Sequence, residues 1–284
     1  MNELYLTVQA TKQGLHQFLS RQIKREVIGA EVVELGHAIR KRHPGMGCRT
    51  MYDLMGSIKV GRDRSERILL SHGFRLKRRR SAIRTTFSLA HLRYPDLIRG
   101  LTVSGIDQVW QTDITYFLST TNMVYYIVFI QDVYSRRILS WSTSDNLKAE
   151  RNIECLLNAF KLRGDKDLRG LIHHSDPGSQ YGDRVYLQIL KDTGIRVSMS
   201  KQAWKNAYVE RVNGTIKNSY LYAWNITCLE ELKKAVAKAV HAYNNEKPHK
   251  NLPNKMSPVA FENFLLTTEP KNHPKFEIYN YEEK

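Results

Sequence analysis

Cysteine is scarce in this chain, and its three examples do not form a pattern. Cys48, Cys155 and Cys228 stand too far apart for a zinc site, and an odd number argues against a full disulfide framework. A reducing, cytoplasmic setting is the expectation. Long apolar runs are also missing. The longest, Met123 to Ile130 (MVYYIVFI), falls well short of the ~20 residues that span a bilayer as a helix, and its β-branched and aromatic content reads as a buried strand. No secretory leader is recognisable, so the glycosylation sequons at Asn213 and Asn225 carry no meaning. Negative charge is in short supply as well: 28 Asp and Glu face 44 Lys and Arg, a formal charge of +16.

What is present points to a folded, polyanion-seeking protein. A hydrophobic fraction of 42% suffices for a sizeable core, and 284 residues suit a full-sized domain plus a smaller module. The cations crowd one end. Residues 1–105 hold 20 Lys and Arg against 8 Asp and Glu, whereas the remaining 179 hold 24 against 20. An anionic membrane surface competes with nucleic acid as the partner, but no basic amphipathic helix, lipidation motif or spanning segment accompanies the charge. Phosphate contacts release condensed counterions and favour binding without any base being read. Double-stranded DNA is therefore the expected partner, with no membrane.

The chain divides by pattern. Residues 1–30 mix polar and apolar positions, with two possible short helices and no assignable role. In 31–80, apolar positions recur at helical spacing from Glu31 to Lys41, and helical stretches follow at Arg49 to Met55 and Arg62 to Ser71. This suggests a basic helix-turn-helix-like DNA-binding domain. Arg62, Arg64 and Arg67 crowd the first turns of its third helix, where a recognition helix meets base edges, and Lys77, Arg78, Arg79 and Arg80 follow as a basic run. Residues 81–105 read as a linker. A strand meander is then predicted over Val109 to Phe117, Met123 to Val133 and Arg137 to Ser142. Helix (148–162), strand (171–174), helix (184–192), strand (195–199) and two further helices (206–222 and 229–245) come next. Strands first and alternation afterwards is the order of an α/β fold: a ribonuclease-H-like mixed five-stranded sheet with flanking helices, here over 106–265. Residues 266–284 are left as a tail.

Three carboxylates stand out. Asp113 lies within the apolar strand Trp110-Gln111-Thr112-Asp113-Ile114-Thr115, where a charge is costly unless paired or coordinated. Asp176 follows a short strand in His173-His174-Ser175-Asp176-Pro177-Gly178. Strand ends are where ligands bind in α/β folds, although Ser-Asp-Pro-Gly is also ordinary turn chemistry. Glu210 opens a helix that carries Lys217 almost two turns on, so a carboxylate and a DNA-facing cation share one face. Two-metal phosphoryl transfer needs carboxylates from separate elements. His173 and His174 read as packed strand residues and Asp132 as structural.

Five segments, in order, carry a resemblance: WQTDIT at Asp113, QDVYSRRILSW at 131–141, HHSDPGSQY at Asp176, NAYVERVNGTIK at Glu210, and YNNEKPHKNLPNKMSPVAFE. The chain resembles the second-reading-frame transposases of the insertion-sequence-three family, relatives of retroviral integrases. The resemblance implies a DNA transposase that cleaves and joins strands, with Asp113, Asp176 and Glu210 as both catalytic residues and metal ligands. It further implies a pair of Mg²⁺ ions, with Mn²⁺ as a substitute, and DNA partners comprising element terminal repeats and target. A homo-multimeric synaptic complex and a frameshift fusion to an upstream-frame product belong to the same expectation. The alternatives are a nuclease that does not join, or a DNA-binding regulator of transposition without catalysis. Two departures stand out: Asp176 and Glu210 lie 34 residues apart, slightly short of the family's spacing, and Lys205 replaces a frequent Asp.

Overall fold

The computed structural model describes residues 11–76, 94–200 and 207–278, and the chain gathers into two compact units, 1–79 and 80–284. The first unit is helical: α1 (Lys12–Arg42), α2 (Cys48–Tyr52) and α3 (Arg62–Ser71). α1 starts where the Thr11 hydroxyl accepts from the Gly14 amide at 3.0 Å, and it ends on Arg40, Lys41 and Arg42, cations at the negative end of the helix dipole. Its C-terminal half packs Val32 and Ile39 with Met51, Met55, Leu69 and Phe74. A Cβ on Gly36 would stand 2.6 Å from Leu69 Cδ2, so α1 and α3 approach this closely only because residue 36 has none.

Here the expectation of two short helices before a separate one at Glu31 fails, because a single helix runs through. Residues 11–27 are exposed, so Leu15, Leu19, Ile23 and Val27 line up without a core to face. Burial periodicity, which is what a sequence reveals, begins only at Ile28. α2 is also shorter than expected, closing at Tyr52.

The second unit contains β1 (Thr102–Val103), β2 (Val109–Leu118), β3 (Val124–Asp132), β4 (Ile138–Ser144), α4 (Glu150–Arg163), β5 (Ile172–Ser175), α5 (Arg184–Asp192), β6 (Arg196–Met199), α6 (Ala207–Ser219), α7 (Leu229–Asn245), α8 (Pro258–Leu266) and β7 (Phe276–Glu277). Its five-stranded sheet has the order β4-β3-β2-β5-β6. The β2-β3-β4 meander is antiparallel, and β5 and β6 run parallel to β2. This is the expected mixed sheet, and β2 is its central strand.

Alternation along the strands sorts the core into two faces. Ile127 and Phe129 meet Val212 and Ile216 of α6 and Leu232, Val236 and Ala239 of α7. Val128 and Ile130 meet Cys155, Leu156 and Ala159 of α4 and Leu190 of α5. Among the described residues no helix is long and apolar enough to cross a membrane.

Two boundaries need correction. The described part of the expected linker, 94–105, joins the core through buried Ile98 and Val103, and its strand β1 pairs with β7, which lies in the expected tail. α8 was also missed. Strands two residues long leave no alternation to read, and their pairing spans most of the domain.

Candidate active site

The register between β2 and α6 builds the site. Alternate residues of β2, namely Gln111, Asp113 and Thr115, point toward α6. They meet residues four apart on that helix: Gln111 Oε1 accepts from the Val209 amide at 3.3 Å, Asp113 Oδ2 accepts from Asn213 Nδ2 at 2.6 Å, and Thr115 Oγ1 accepts from Lys217 Nζ at 2.6 Å. The spacing explains the match, since two strand residues rise about 6.7 Å and four helical residues about 6 Å. Three rungs therefore stay in step and fix α6 against the sheet, with Glu210 in its first turn beside the buried Val209.

Asp176 arrives from the other side of β2. β5 pairs in parallel with β2 at Trp110↔His173 and Gln111↔His174, so the chain leaving β5 delivers Asp176 next to Asp113. There Asp176 Oδ1 accepts from the Gly178 amide at 3.1 Å. A Cβ on Gly178 would stand 2.9 Å from that same oxygen, so a side chain there would displace the Asp176 carboxylate. Asp176 is buried, Asp113 half-buried and Glu210 exposed.

These carboxylates sense one another. Burial first, then the charges of Asp176 and Glu210, push the Asp113 carboxyl well above the usual range. Burial raises Asp176 too, against the pull of the Gly178 amide. Burial and the charges of Asp176 and Asp113 together oppose ionisation of Tyr181, a buried phenol beside both. Lys217 is the cation that offsets Asp113. Its ammonium also donates to the Tyr116 carbonyl at 3.2 Å and lies 5.0 Å from the Tyr116 ring. It is thus bound into the protein rather than presented outward. Burial lowers the Lys217 pKa although Asp113 acts to raise it.

The donor set is all oxygen, the chemistry that suits a hard divalent cation such as Mg²⁺ or Mn²⁺ rather than a thiolate- or imidazole-seeking metal. Asn213 Oδ1, beside Asp113, is buried without a donor, which adds a further oxygen to the set. Among the described residues no three His, Cys, Asp or Glu side chains stand close enough to share one ion.

Other expected roles fall as follows. His173 Nε2 pairs with Tyr186 Oη at 2.5 Å and His174 Nδ1 with Ser198 Oγ at 2.9 Å. Burial holds these imidazoles neutral, pushed down to about 3 and about 4, so both are core residues. Asp132 accepts from the Asp107 and Ser135 amides at 2.7 and 2.6 Å, also a structural role. Arg62, Arg64 and Arg67 are exposed on α3 in the first unit. Lys77, Arg78, Arg79 and Arg80 lie outside the described residues, as does Lys205. Gln111 and Asn213 escaped the sequence reading. Asn213 lies in the same motif as Glu210, and its helical spacing to Val209 and Lys217 was the available signal.

The chain is similar to several known proteins. Residues 104–203 match the integrase core domain family, and residues 192–258 match a second integrase core domain family. The chain is 33% identical over 209 residues to the insertion element IS600 uncharacterized 31 kDa protein of Shigella sonnei, covering 72% of this chain and 75% of that one. It is 30% identical over 200 residues to the putative transposase for insertion sequence element IS986/IS6110 of Mycobacterium tuberculosis, covering 67% of this chain and 71% of the relative. Among solved structures, the HTLV-2 integrase catalytic core domain in complex with magnesium is similar at 20% identity and a TM-score of 0.44, covering 59% of this chain and 99% of that one. With two thirds or more of each insertion-sequence relative aligned and the integrase core matched through both domain families, the chain belongs to the second-reading-frame transposases of the insertion-sequence-three family.

Proposed function

We propose that Asp113, Asp176 and Glu210 are the catalytic carboxylates of this transposase and the ligands of its divalent cations. The observation that carries this reading is their convergence. The β2-β5 register brings Asp176 level with Asp113, the α6 rungs hold the Glu210 helix against the same strand, and the charges of Asp176 and Glu210 raise Asp113 while Lys217, itself bonded to β2, pulls it down. A pair of Mg²⁺ ions, or Mn²⁺ in their place, would supply activation of the attacking oxygen and neutralisation of charge on the phosphodiester. The protein's part is placement. Asn213 fixes the Asp113 carboxylate by its 2.6 Å bond, Gly178 fixes that of Asp176, and α6 aims Glu210. The same site first directs water at the element end and then the freed 3′ hydroxyl at target DNA, without a covalent protein intermediate.

In this reading DNA is held by a separate set of cations: Arg62, Arg64 and Arg67 on α3, joined by Lys77, Arg78, Arg79 and Arg80, position the terminal repeats through phosphate contacts. Lys217 tethers β2 to α6 and balances Asp113. Bringing two ends together requires a multimer, and an upstream-frame fusion would add further DNA-binding helices.

The test is a strand-transfer assay on labelled element ends with Mg²⁺ or Mn²⁺. Joined products from the wild type, lost in both Asp113→Asn and Glu210→Gln while DNA binding persists, are expected. Cleavage without joining would replace the transposase mechanism with a nuclease, and joining retained by either variant would overturn the triad.

A further inference from the structure

The start of α6 depends on a side chain from the sheet. α6 begins at Ala207, and the amides of its first turn have no carbonyl one turn back to receive them. The Val209 N–H is one of these, and it donates to Gln111 Oε1 of β2 at 3.3 Å. Gln111 and Val209 are both 0% exposed, so water does not compete for the bond. Glu210 is the next residue. The bond therefore holds the backbone directly ahead of the third carboxylate, and Asn213 and Lys217 grip the helix only beyond it.

Gln111 has a counterpart on the next strand. It stands opposite Gln131 in the β2-β3 register, and cross-strand partners share a face with Cβ atoms about 5 Å apart. Gln131 is also buried, and its Nε2 donates to the Arg136 carbonyl at 2.8 Å and to Tyr243 Oη at 3.3 Å. Tyr243 belongs to α7, where the adjacent Asn244 accepts from the Ile138 amide at 2.9 Å and donates to the Ile138 carbonyl at 2.8 Å. The far end is thus anchored to β4.

Backbone chemistry sets which way each glutamine amide points. A peptide N–H can be met only by Oε1, so Gln111 is left with Nε2, a donor. A carbonyl can be met only by Nε2, so Gln131 is left with Oε1, an acceptor. Those two atoms are buried and have no hydrogen-bond partner among the described residues. Turning either amide over would lose its backbone bond. An unmet donor and an unmet acceptor on directly opposed residues complement each other, and leaving both unmet costs more than joining them, directly or through one buried water.

We infer that Gln111 and Gln131 work as a linked pair of positioning residues for Glu210. The link runs from Tyr243 and the β3-β4 turn through Gln131 and Gln111 to the Val209 amide, and it fixes where the first turn of α6 lies. Both glutamines act on Glu210 through the helix backbone. Groups that orient a metal-binding side chain in this way govern affinity for the ion as well as stability. The inference rests on the reading of Glu210 as a metal ligand.

The test uses the full chain with Gln111→Met, Gln131→Met and the double variant. Three quantities are read: metal-free hydrogen exchange over residues 207–212, Mn²⁺ affinity from the free-ion EPR signal, and strand joining against Mn²⁺ concentration. Each single variant should exchange about tenfold faster in this turn and bind Mn²⁺ about tenfold more weakly. The double variant should also lose about tenfold, not a hundredfold, because both changes break one link. Joining should return in all three as Mn²⁺ is raised, which a general loss of structure would not allow. Thermal melting checks folding, and if Gln131→Met does not fold, Gln131→Asn, whose amide is too short to span both partners, takes its place. Wild-type exchange and Mn²⁺ affinity in the Gln131 variant, or losses that multiply in the double variant, overturn the pairing. Glu210→Gln separates the two readings: if it binds Mn²⁺ like the wild type, Glu210 is not a metal ligand, and the exchange rates alone decide whether the glutamines are linked.

Discussion

The second unit contains two clusters of three acids, and they are built on opposite principles. Asp107, Asp132 and Glu262 surround Arg163, whose guanidinium reaches Asp107 at 2.7 Å and Glu262 at 2.9 Å, while Arg137 adds a second bond to Glu262 and Lys166 one to Asp107. Ser135 Oγ also donates to Glu262 at 2.8 Å, and backbone amides satisfy Asp132. At Asp113, burial and the charges of Asp176 and Glu210 outweigh the pull of Lys217, and the carboxyl is raised rather than lowered. The first cluster brings its own countercharge and acts as a brace between α4, α8 and the β3-β4 turn. The second keeps its Asp113 and Asp176 carboxyls raised, the opposite of Glu262 in the brace. A group of acids is therefore read by what neutralises it, not by how many acids it holds.

The largest test of this contrast is removal of the brace's centre. Arg163→Met should destabilise the chain by about 3–5 kcal/mol, because three buried acids lose their common partner. A urea midpoint implying less than about 1 kcal/mol would break the contrast. Asp113→Asn should go the other way and stabilise the fold by about 1 kcal/mol, with activity lost, since it removes a repelled carboxylate. Lower stability than the wild type at neutral pH would mean that Asp113 is structural.

pH separates the clusters further. Glu262 has its pKa lowered overall, because its bonds and charge interactions with Arg163 and Arg137 outweigh burial. Its contribution is therefore present above 4.5 and is lost as pH falls through its lower folded value. Asp113 is raised, so the stability it adds below 3.8 is lost as pH rises through its folded value. Denaturation curves from pH 3 to 7 should show the deficit of Glu262→Gln growing with pH, and the gain of Asp113→Asn growing as well. Differences independent of pH would break both assignments. The smallest expected effect is a control. Arg151 and Glu154 stand 2.7 Å apart, as close as the brace's pairs, but both side chains are about half exposed. Arg151→Gln should shift stability by less than about 0.5 kcal/mol in the same melts.

Much of this arrangement was legible beforehand. Runs of strand-forming residues joined by turns marked β2, β3 and β4, helical spacing gave α5 and α7 to the residue, and Asp113 stood out as a charge inside an apolar strand. What was hidden is non-local. Nothing in Gln111 or Asn213 announces that strand and helix will meet rung for rung. The pairing of Thr102–Val103 with Phe276–Glu277 joins segments at opposite ends of the domain. α1 was misjudged for a different reason. Its first half turns no face to a core, so its apolar residues obey no burial pattern that could be read.

The β2-α6 register works as a vernier. Each rung accumulates a mismatch of about 0.7 Å between strand and helix rise, so a fourth rung would no longer close. At Phe117 the contact passes to Tyr222, beyond the end of α6, with ring centroids 5.3 Å apart. One residue inserted between Val209 and Lys217 would rotate everything after it by about 100° and carry Asn213 or Lys217 off its rung. One inserted before Ala207 leaves every rung intact. A change in the 34-residue spacing between Asp176 and Glu210 therefore leaves the register intact when it falls ahead of α6.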